Sequence, residues 1–390
     1  MVLNHPKRLL LLLFLCIGVF LGGCKQVVPI PTLDFKTTRA IWITRWDYVT
    51  EQDIQTIVAN CSAAGFNQLM FQVRGNGSVF YPSTIEPWAE QLGGVDPGFD
   101  PLAVAIREAH QRGLRLHTWV NVVPAWWGST PPSNPEHILN KRPEWLWYDA
   151  DGLRQPESDN FYLSLNPCLP EVRDYITSVV TEVATNYAVD GMHLDYIRFP
   201  NEKPAVRDGS DYPRDPRTLA LYEKETGLGP DDNRQAWNQW RTDQVTLLLR
   251  EIRGAVLEAR PGLEISAAVG SELPAAKSHF QDWEAWLQEG LLDTVYPMNY
   301  TADDERSAQR FEDWRGRTSE ANIVMGLHGT NSTPELLQQR MAAATNTLSG
   351  FCLFGYLSFW DSQNKTIDEQ DAVQSNARKS LRTRLFPLPD

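Results

Sequence analysis

The sequence predicts an α/β fold, a (β/α)₈ TIM barrel with long loops after its third and fourth strands. Two observations carry that expectation. Eight short apolar runs alternate with amphipathic helical stretches, the signature of βα units around a parallel sheet. Eight such repeats in one chain favour a closed barrel over an open doubly wound sheet. No Gly-rich phosphate loop follows any of the runs, which leaves a nucleotide ligand without support.

The chain opens on an address rather than on the fold. Lys7 and Arg8 form a basic start, an apolar run extends from Leu9 to Phe20, and Leu21-Gly22-Gly23-Cys24 follows. The run is short for a membrane-spanning helix, so residues 1–23 read as a signal peptide. Small residues directly before a Cys resemble the lipobox of bacterial lipoproteins. That resemblance implies cleavage before Cys24 and acylation of its sulfur and new amino group, enough hydrophobic chains for stable anchoring in a membrane. Lys25, rather than Asp, after the lipidated Cys points to outer-membrane sorting in a host with two membranes. Residues 24–37 hold Pro29 and Pro31 without periodicity and read as a tether, leaving 38–390 for the barrel.

Strands are expected at Arg39–Trp46, Asn67–Arg74, Leu114–Asn121, Gly191–Arg198, Leu263–Val269, Thr294–Asn299, Ile323–Leu327 and Gly350–Tyr356. Helical patterns separate them. Glu51–Ala64 carries Ile54, Ile57, Val58 and Cys61 at i, i+3, i+4 and i+7, and Asp100–Arg112 carries Leu102, Ala105, Ile106 and Ala109. Gly65 and Gly113 follow these helices as C-terminal caps should. Pro170–Tyr187 begins with a first-turn proline, and Gln235–Ala259 is a long helix before the fifth strand. Val122–Leu169 and Pro200–Asp232 exceed ordinary connections. Both follow a strand's C-terminal end, where barrel active sites are built, and their Pro- and Trp-rich composition suits the walls of a cleft.

Composition narrows the partners. A net charge of −13 argues against nucleic acid and against electrostatic docking on anionic lipid. The 14 Trp and 12 Tyr are partly core, but exposed aromatic rings also stack on the apolar faces of sugars. Beyond the export segment, Cys61, Cys168 and Cys352 remain, without metal spacing, so no disulfide framework is expected and at least one is free. No cofactor is expected.

The sharpest segment is Asp190–Pro200. His193, Asp195 and Arg198 interrupt an otherwise apolar strand. An ionised Asp at the end of a buried strand costs several kcal/mol unless it has partners or a task. His193 and Asp195 are two apart and point to one side of the strand, with Asp195 at the top of the barrel and His193 one layer below. Asp195 is therefore the candidate catalytic carboxylate, the competing reading being an Asp–Arg ion pair with Arg198.

With that segment in view, the chain resembles the bacterial glycosyl-hydrolase-like lipoproteins of the family 10 glycosylhydrolase type, among them envelope proteins acting on peptide-free peptidoglycan glycans. The matching stretches are Arg39–Trp46, Phe71–Gly75, Asp100–Leu102, Ala109–Gly113, His117–Asn121, Asn166–Pro167, Asp190–Pro200 and Tyr296–Tyr300, in order through nearly the whole chain. The resemblance implies a TIM-barrel glycosidase acting on an amino-sugar polymer of the cell envelope. Two departures from other barrels bear on mechanism. A chitinase-like strand carries an acid two residues after Asp195, where this chain has Ile197, and an amylase-like strand carries Arg where this chain has His193.

Glycosidic cleavage usually needs a second carboxyl group. Glu272, just beyond the fifth strand, is the expected partner, since several resembling barrels place an acid there. Asp303, Asp304, Glu86 and Glu90 are the alternatives. Arg74, His117, Asn121, His193, Arg198, Asn299 and Tyr300 are polar groups at or near strand ends, expected to bind sugar hydroxyls or orient Asp195. Trp46, Trp119 and Tyr196 are expected stacking platforms, with Trp126, Trp127 and Trp360 behind them, and core packing is the alternative for each. Two other classes of function remain open: a non-catalytic glycan-binding barrel, and a metal-dependent deacetylase using His117, His193 and Asp195 as ligands.

Overall fold

The computed structural model describes residues 36–200, 212–317, 321–361 and 369–386. The expected signal peptide, Cys24 and most of the expected tether lie outside the described residues. Eight strands form the barrel: β1 (Thr38–Ile43), β2 (Gln68–Arg74), β3 (Arg115–Asn121), β4 (Gly191–Asp195), β5 (Glu264–Gly270), β6 (Thr294–Asn299), β7 (Asn322–His328) and β8 (Gly350–Phe354). They close in chain order, and each runs parallel to both neighbours. Helices α1 (Glu51–Ala63), α2 (Pro101–Gln111), α3 (Pro170–Asn186), α4 (Pro216–Thr226), α5 (Arg234–Ala259), α6 (Asp304–Arg315), α7 (Pro334–Thr347) and α8 (Glu369–Leu385) connect or follow them. The expected (β/α)₈ barrel is present.

Local chemistry sets the element boundaries. Thr50 and Asp53 form a reciprocal capping box at the start of α1, satisfying two amides that the helix leaves unpaired. Its apolar stripe Ile54, Ile57, Val58 and Cys61 is buried against the sheet. Gly65 at φ +78° and Gly113 at φ +67° reverse the chain after α1 and α2, a left-handed conformation that costs glycine little.

Three strands stop earlier than the sequence suggests, and in each case the C-terminal end is lost. β1 ends at Ile43 rather than Trp46, because the Asp47 side chain accepts the Thr44 amide at 2.6 Å and turns the chain. β4 ends at Asp195 rather than Arg198, because Tyr196 takes φ +52°. β8 ends at Phe354 rather than Tyr356. The stretch after β3, expected as a loop, instead carries an antiparallel pair of strands, Pro124–Gly128 with Ser158–Ser164. Alternating runs of three to seven residues inside a long Pro-rich connection hide such a pair from a periodicity reading.

Side chains fill the barrel in layers. Register pairs Asn121 with Asp195 at the top, Trp119 with His193 below, and His117 with Gly191 below that. Trp42, Met70, Trp119, Tyr296, Val324 and Cys352 pack the interior, and a larger apolar shell lies between strands and helices. Cys61, Cys168 and Cys352 are all free and buried, so packing accounts for them.

Candidate functional site

A cleft of about 210 Å³ opens at the C-terminal ends of the strands, the face on which barrels of this architecture carry their sites. Trp42, Thr44, Arg45 and Trp46 line it from β1 and the turn after it. Trp119 and Asn121 come from β3, Asp195, Tyr196 and Arg198 from the end of β4, and Tyr300 and Phe354 from β6 and β8. Tyr162 reaches it from the paired strands of the long connection. The truncated ends of β1 and β4 thus supply the lining: the residues released from the ladder are the ones that face the cleft.

Asp195 is 6 % exposed and, among the described residues, is the one acid in this lining. Its Oδ1 accepts the Tyr196 amide at 2.7 Å and Arg198 Nη1 at 3.2 Å. Among the described residues its Oδ2 has no hydrogen-bond partner, so one oxygen is held and the other is left for a ligand. The Arg198 guanidinium also lies over the Tyr196 ring, 4.3 Å from its centroid. The positive φ of Tyr196 is a strained conformation for an aromatic residue, and such strain clusters at functional positions. The ion-pair reading of Asp195 and Arg198 and the site reading therefore coexist in one geometry.

Of the expected site residues, the cleft gathers Trp46, Trp119, Asn121, Asp195, Tyr196, Arg198 and Tyr300. Trp46 is 54 % exposed, as a stacking platform should be. Trp119 Nε1 and Asn121 Oδ1 are buried without a partner among the described residues. Trp126 donates Nε1–H to Thr130, and Trp360 stacks on Tyr356 and Phe386, so Trp360 is core.

Five of the expected site residues lie outside the lining of this cleft. Glu272 does not line the cleft; its carboxylate bridges Arg306 and Arg310 at 2.7–2.9 Å. The two guanidiniums hold its carboxyl down at about 2, which makes it a poor proton donor near neutral pH. Arg74 is spent on a bidentate pair with Glu86 and on the carbonyls of Asn121, Val122 and Pro124. Asn299 binds Ser307 and Arg310, tying β6 to α6. His193 lies in the barrel core, where Trp42 donates to its Nε2 at 3.0 Å, leaving Nδ1–H to donate to Ser266. His117 lies a layer deeper, fully buried. Arg74, Asn299 and Glu272 are engaged by partners within the fold, and the two imidazoles sit below the mouth.

The alternative acids are also engaged. Tyr175 donates to Glu86 at 2.6 Å in addition to Arg74, Asp303 caps α6 and Asp304 pairs with Arg340. The proposed metal ligands do not assemble: among the described residues no group of three His, Cys, Asp or Glu side chains is placed to hold an ion.

Sequence reasoning missed Trp42, Arg45, Gln72, Tyr162, Met298 and Phe354 in the lining. Arg45 had a usable signal, a charge at the expected C-terminal end of β1. Tyr162 had none, because it reaches the cleft through the strand pairing of a connection read as loop.

A parallel closed barrel with a carboxylate and a ring of aromatic side chains at its C-terminal mouth defines a glycoside-hydrolase-like barrel protein. The family model described as Glycosyl hydrolase-like 10 matches residues 37–332, and the chain belongs to that family. It is 29 % identical over 271 residues to glycosyl hydrolase YngK of Bacillus subtilis (strain 168), covering 64 % of this chain and 49 % of that one. It is 29 % identical over 268 residues to glycosyl hydrolase DigH of Escherichia coli (strain K12), covering 64 % and 57 %. The chain thus spans about half the length of the relatives it matches. Among solved structures, the PgaB (BpsB) glycoside hydrolase domain of Bordetella bronchiseptica aligns with a TM-score of 0.60 at 14 % identity, over 91 % of this chain and all of that one. The catalytic domain of Paenibacillus polymyxa β-amylase aligns at 0.59 and 10 % identity, over 90 % and 97 %. At these identities the likeness shows the fold.

Proposed function

We propose that the protein is a glycoside hydrolase of the bacterial cell envelope that cleaves an amino-sugar polymer, with peptide-free peptidoglycan glycan strands as its substrate. The observation that carries the proposal is the Asp195 carboxyl at the barrel mouth, with one oxygen fixed and one open, in a cleft walled by Trp46, Trp119, Tyr162 and Tyr300. Aromatic faces bind the apolar faces of sugar rings, and the carboxyl acts on the glycosidic oxygen or stabilises the oxocarbenium-like centre left behind. The names and folds of the relatives support the same class.

The test is turnover of peptide-free glycan strands, read by mass spectrometry. Asp195→Asn keeps the shape and removes the acid, and it should lower the rate by several powers of ten, each about 1.4 kcal/mol. Glu272→Gln should leave the rate within a few-fold, since its carboxyl is tied up by Arg306 and Arg310. Near-normal turnover in Asp195→Asn would sink the assignment. Because Asp195 is the one acid in the lining among the described residues, a second reading stands beside the first: a glycan-binding barrel without turnover. Retention of glycan with no product from the unmodified chain would decide for it.

We also propose that Cys24 carries the lipid anchor and holds the barrel at the outer membrane. The short apolar run and the Leu-Gly-Gly-Cys sequence support this reading. Cys24→Ala should move the protein into the soluble fraction; a variant still sedimenting with membranes after a high-salt wash would remove the anchor.

A further inference from the structure

Arg45 is 2 % exposed, yet it lines the cleft beside Asp195. Four other buried arginines each face a carboxylate: Arg74 with Glu86, Arg173 with Glu251, Arg198 with Asp195 and Arg340 with Asp304, while Arg241, away from the cleft lining, donates to the Tyr212 carbonyl and to Asn238. Arg45 faces none among the described residues. Its Nη1 donates to the Tyr162 hydroxyl at 3.1 Å, and its Nε is buried with no hydrogen-bond partner among the described residues. A buried guanidinium without a counter-ion is costly, and the fold has gone out of its way to keep it. It lies 4.7 Å from the Trp46 ring centroid and 5.7 Å from that of Tyr162, so the two rings hold the cation in place. Gly75 leaves it room: a Cβ there would come within 2.3 Å of Nη1 and 2.6 Å of Cδ and Cζ.

Charge in the cleft is therefore unbalanced. Among the described residues its lining holds two arginines and one aspartate, in a chain whose net charge is −13. Arg198 is matched by Asp195, and the surplus positive charge is Arg45. We infer that Arg45 is a specificity-determining subsite for a carboxylate carried by the glycan next to the bond that is cut. A planar guanidinium fork matches a carboxylate, and one cation between two aromatic rings suits a singly charged group on a sugar. Trp119 Nε1–H and Asn121 Oδ1, also unpartnered in the same lining, are the neutral donor and acceptor that would meet the rest of that sugar. Two sugar chemistries supply such a group: a uronic acid, with the carboxylate on the ring, and a lactyl ether, with the carboxylate on a side arm. This inference deepens the glycoside-hydrolase reading and rests on it for the position of the scissile bond.

The experiment titrates the full chain, with Asp195→Asn to stop turnover, against four oligosaccharide probes. These are lactyl-bearing peptide-free peptidoglycan fragments, the same fragments with their carboxylates converted to amides, uronic acid oligomers, and uncharged chitooligosaccharides. One carboxylated probe should bind at least ten-fold more tightly than its neutral counterpart, and which one does so identifies the source. Adding Arg45→Met should bring that ratio close to one, while Arg45→Lys, which keeps the charge and loses the fork, should retain part of it. Equal affinity for free and amidated fragments together with weak uronate binding would overturn the inference. So would a ratio that Arg45→Met leaves unchanged. The arms with Arg45 intact decide the carboxylate question even if a variant fails to fold. Turnover in the unmodified chain separates the two proposals. Cleavage of the carboxylated fragments that is indifferent to Arg45→Met sinks the subsite and leaves the hydrolase. Carboxylate-dependent binding with no cleavage of any probe sinks the hydrolase and leaves the subsite.

Discussion

Asp47 shows how one side chain can shape the mouth of the barrel at a cost. Its Oδ2 accepts the Thr44 amide, ending β1 so that Arg45 and Trp46 turn into the cleft. Its Oδ1 is buried without a partner among the described residues, and burial pushes its pKa up from 3.8 to about 7. The folded state therefore holds a proton that the unfolded chain has released between those values. The stabilisation this gives is fully present below about pH 3.8 and is lost as pH rises through about 7. Asp47→Asn keeps an acceptor for Thr44 and removes the buried charge. It should stabilise the protein by about 1–2 kcal/mol at pH 8 and do little near pH 4, measured by urea unfolding at the two pH values. A variant equally stabilised or destabilised at both would contradict this account.

Between elements, the clamp around Arg74 holds the connection after β3 in place. Its guanidinium pairs with Glu86 on one side and takes the carbonyls of Asn121, Val122 and Pro124 on the other, while Tyr175 of α3 donates to Glu86. One ion pair thus fastens the loop after β2 and a helix to the chain leaving β3. Asn121 lies in the lining, and the paired strands that present Tyr162 start three residues later. Arg74→Met leaves the Glu86 carboxylate buried and unpaired, which should cost about 3–5 kcal/mol in urea unfolding. Glycan binding should weaken with it, because Asn121 and Tyr162 lose their support. A loss below about 1 kcal/mol would show that the clamp is dispensable.

Across the whole molecule, the barrel interior stores neutral imidazoles. Burial lowers His117 to about 4 and His193 to about 3, both from 6.5. The unfolded chain binds protons below pH 6.5 that the fold refuses. Their stabilising contribution is present above about pH 6.5 and is lost as pH falls towards 4 and 3. Asp47 acts in the opposite sense, so the comparison is made against a variant. His193→Gln keeps polar groups near Trp42 and Ser266 but does not titrate. Between pH 6.5 and 4 its unfolding free energy should fall less steeply than that of the unmodified protein, by about 1.4 kcal/mol per unit at most. Parallel curves would mean that His193 is charged in the fold.

What the sequence determined by itself is the repeating part of this protein. Alternation of apolar runs and helical stripes is local and periodic, so it places eight strands, the helices Ile54–Cys61 and Leu102–Ala109 belong to, and the caps at Gly65 and Gly113. Position at the end of a strand was enough to single out Asp195, Tyr196 and Arg198. The tertiary structure decided which polar groups are spent on the fold and which are left for a ligand. Arg74, Asn299 and Glu272 look alike in sequence to Arg45 and Asn121: polar residues near the ends of apolar strands. Glu86 engages Arg74, Ser307 and Arg310 engage Asn299, and Arg306 and Arg310 engage Glu272, whereas among the described residues Arg45 Nε and Asn121 Oδ1 stay unpartnered although Arg45 donates to Tyr162 and Asn121 to the Gly75 carbonyl. His117 and His193 differ from Asn121 by their layer in the barrel, which register between strands sets. Hydrogen bonding and register are pairwise and long-range, so no local pattern encodes them, and the cleft takes its chemistry from the groups that the fold leaves unpaired.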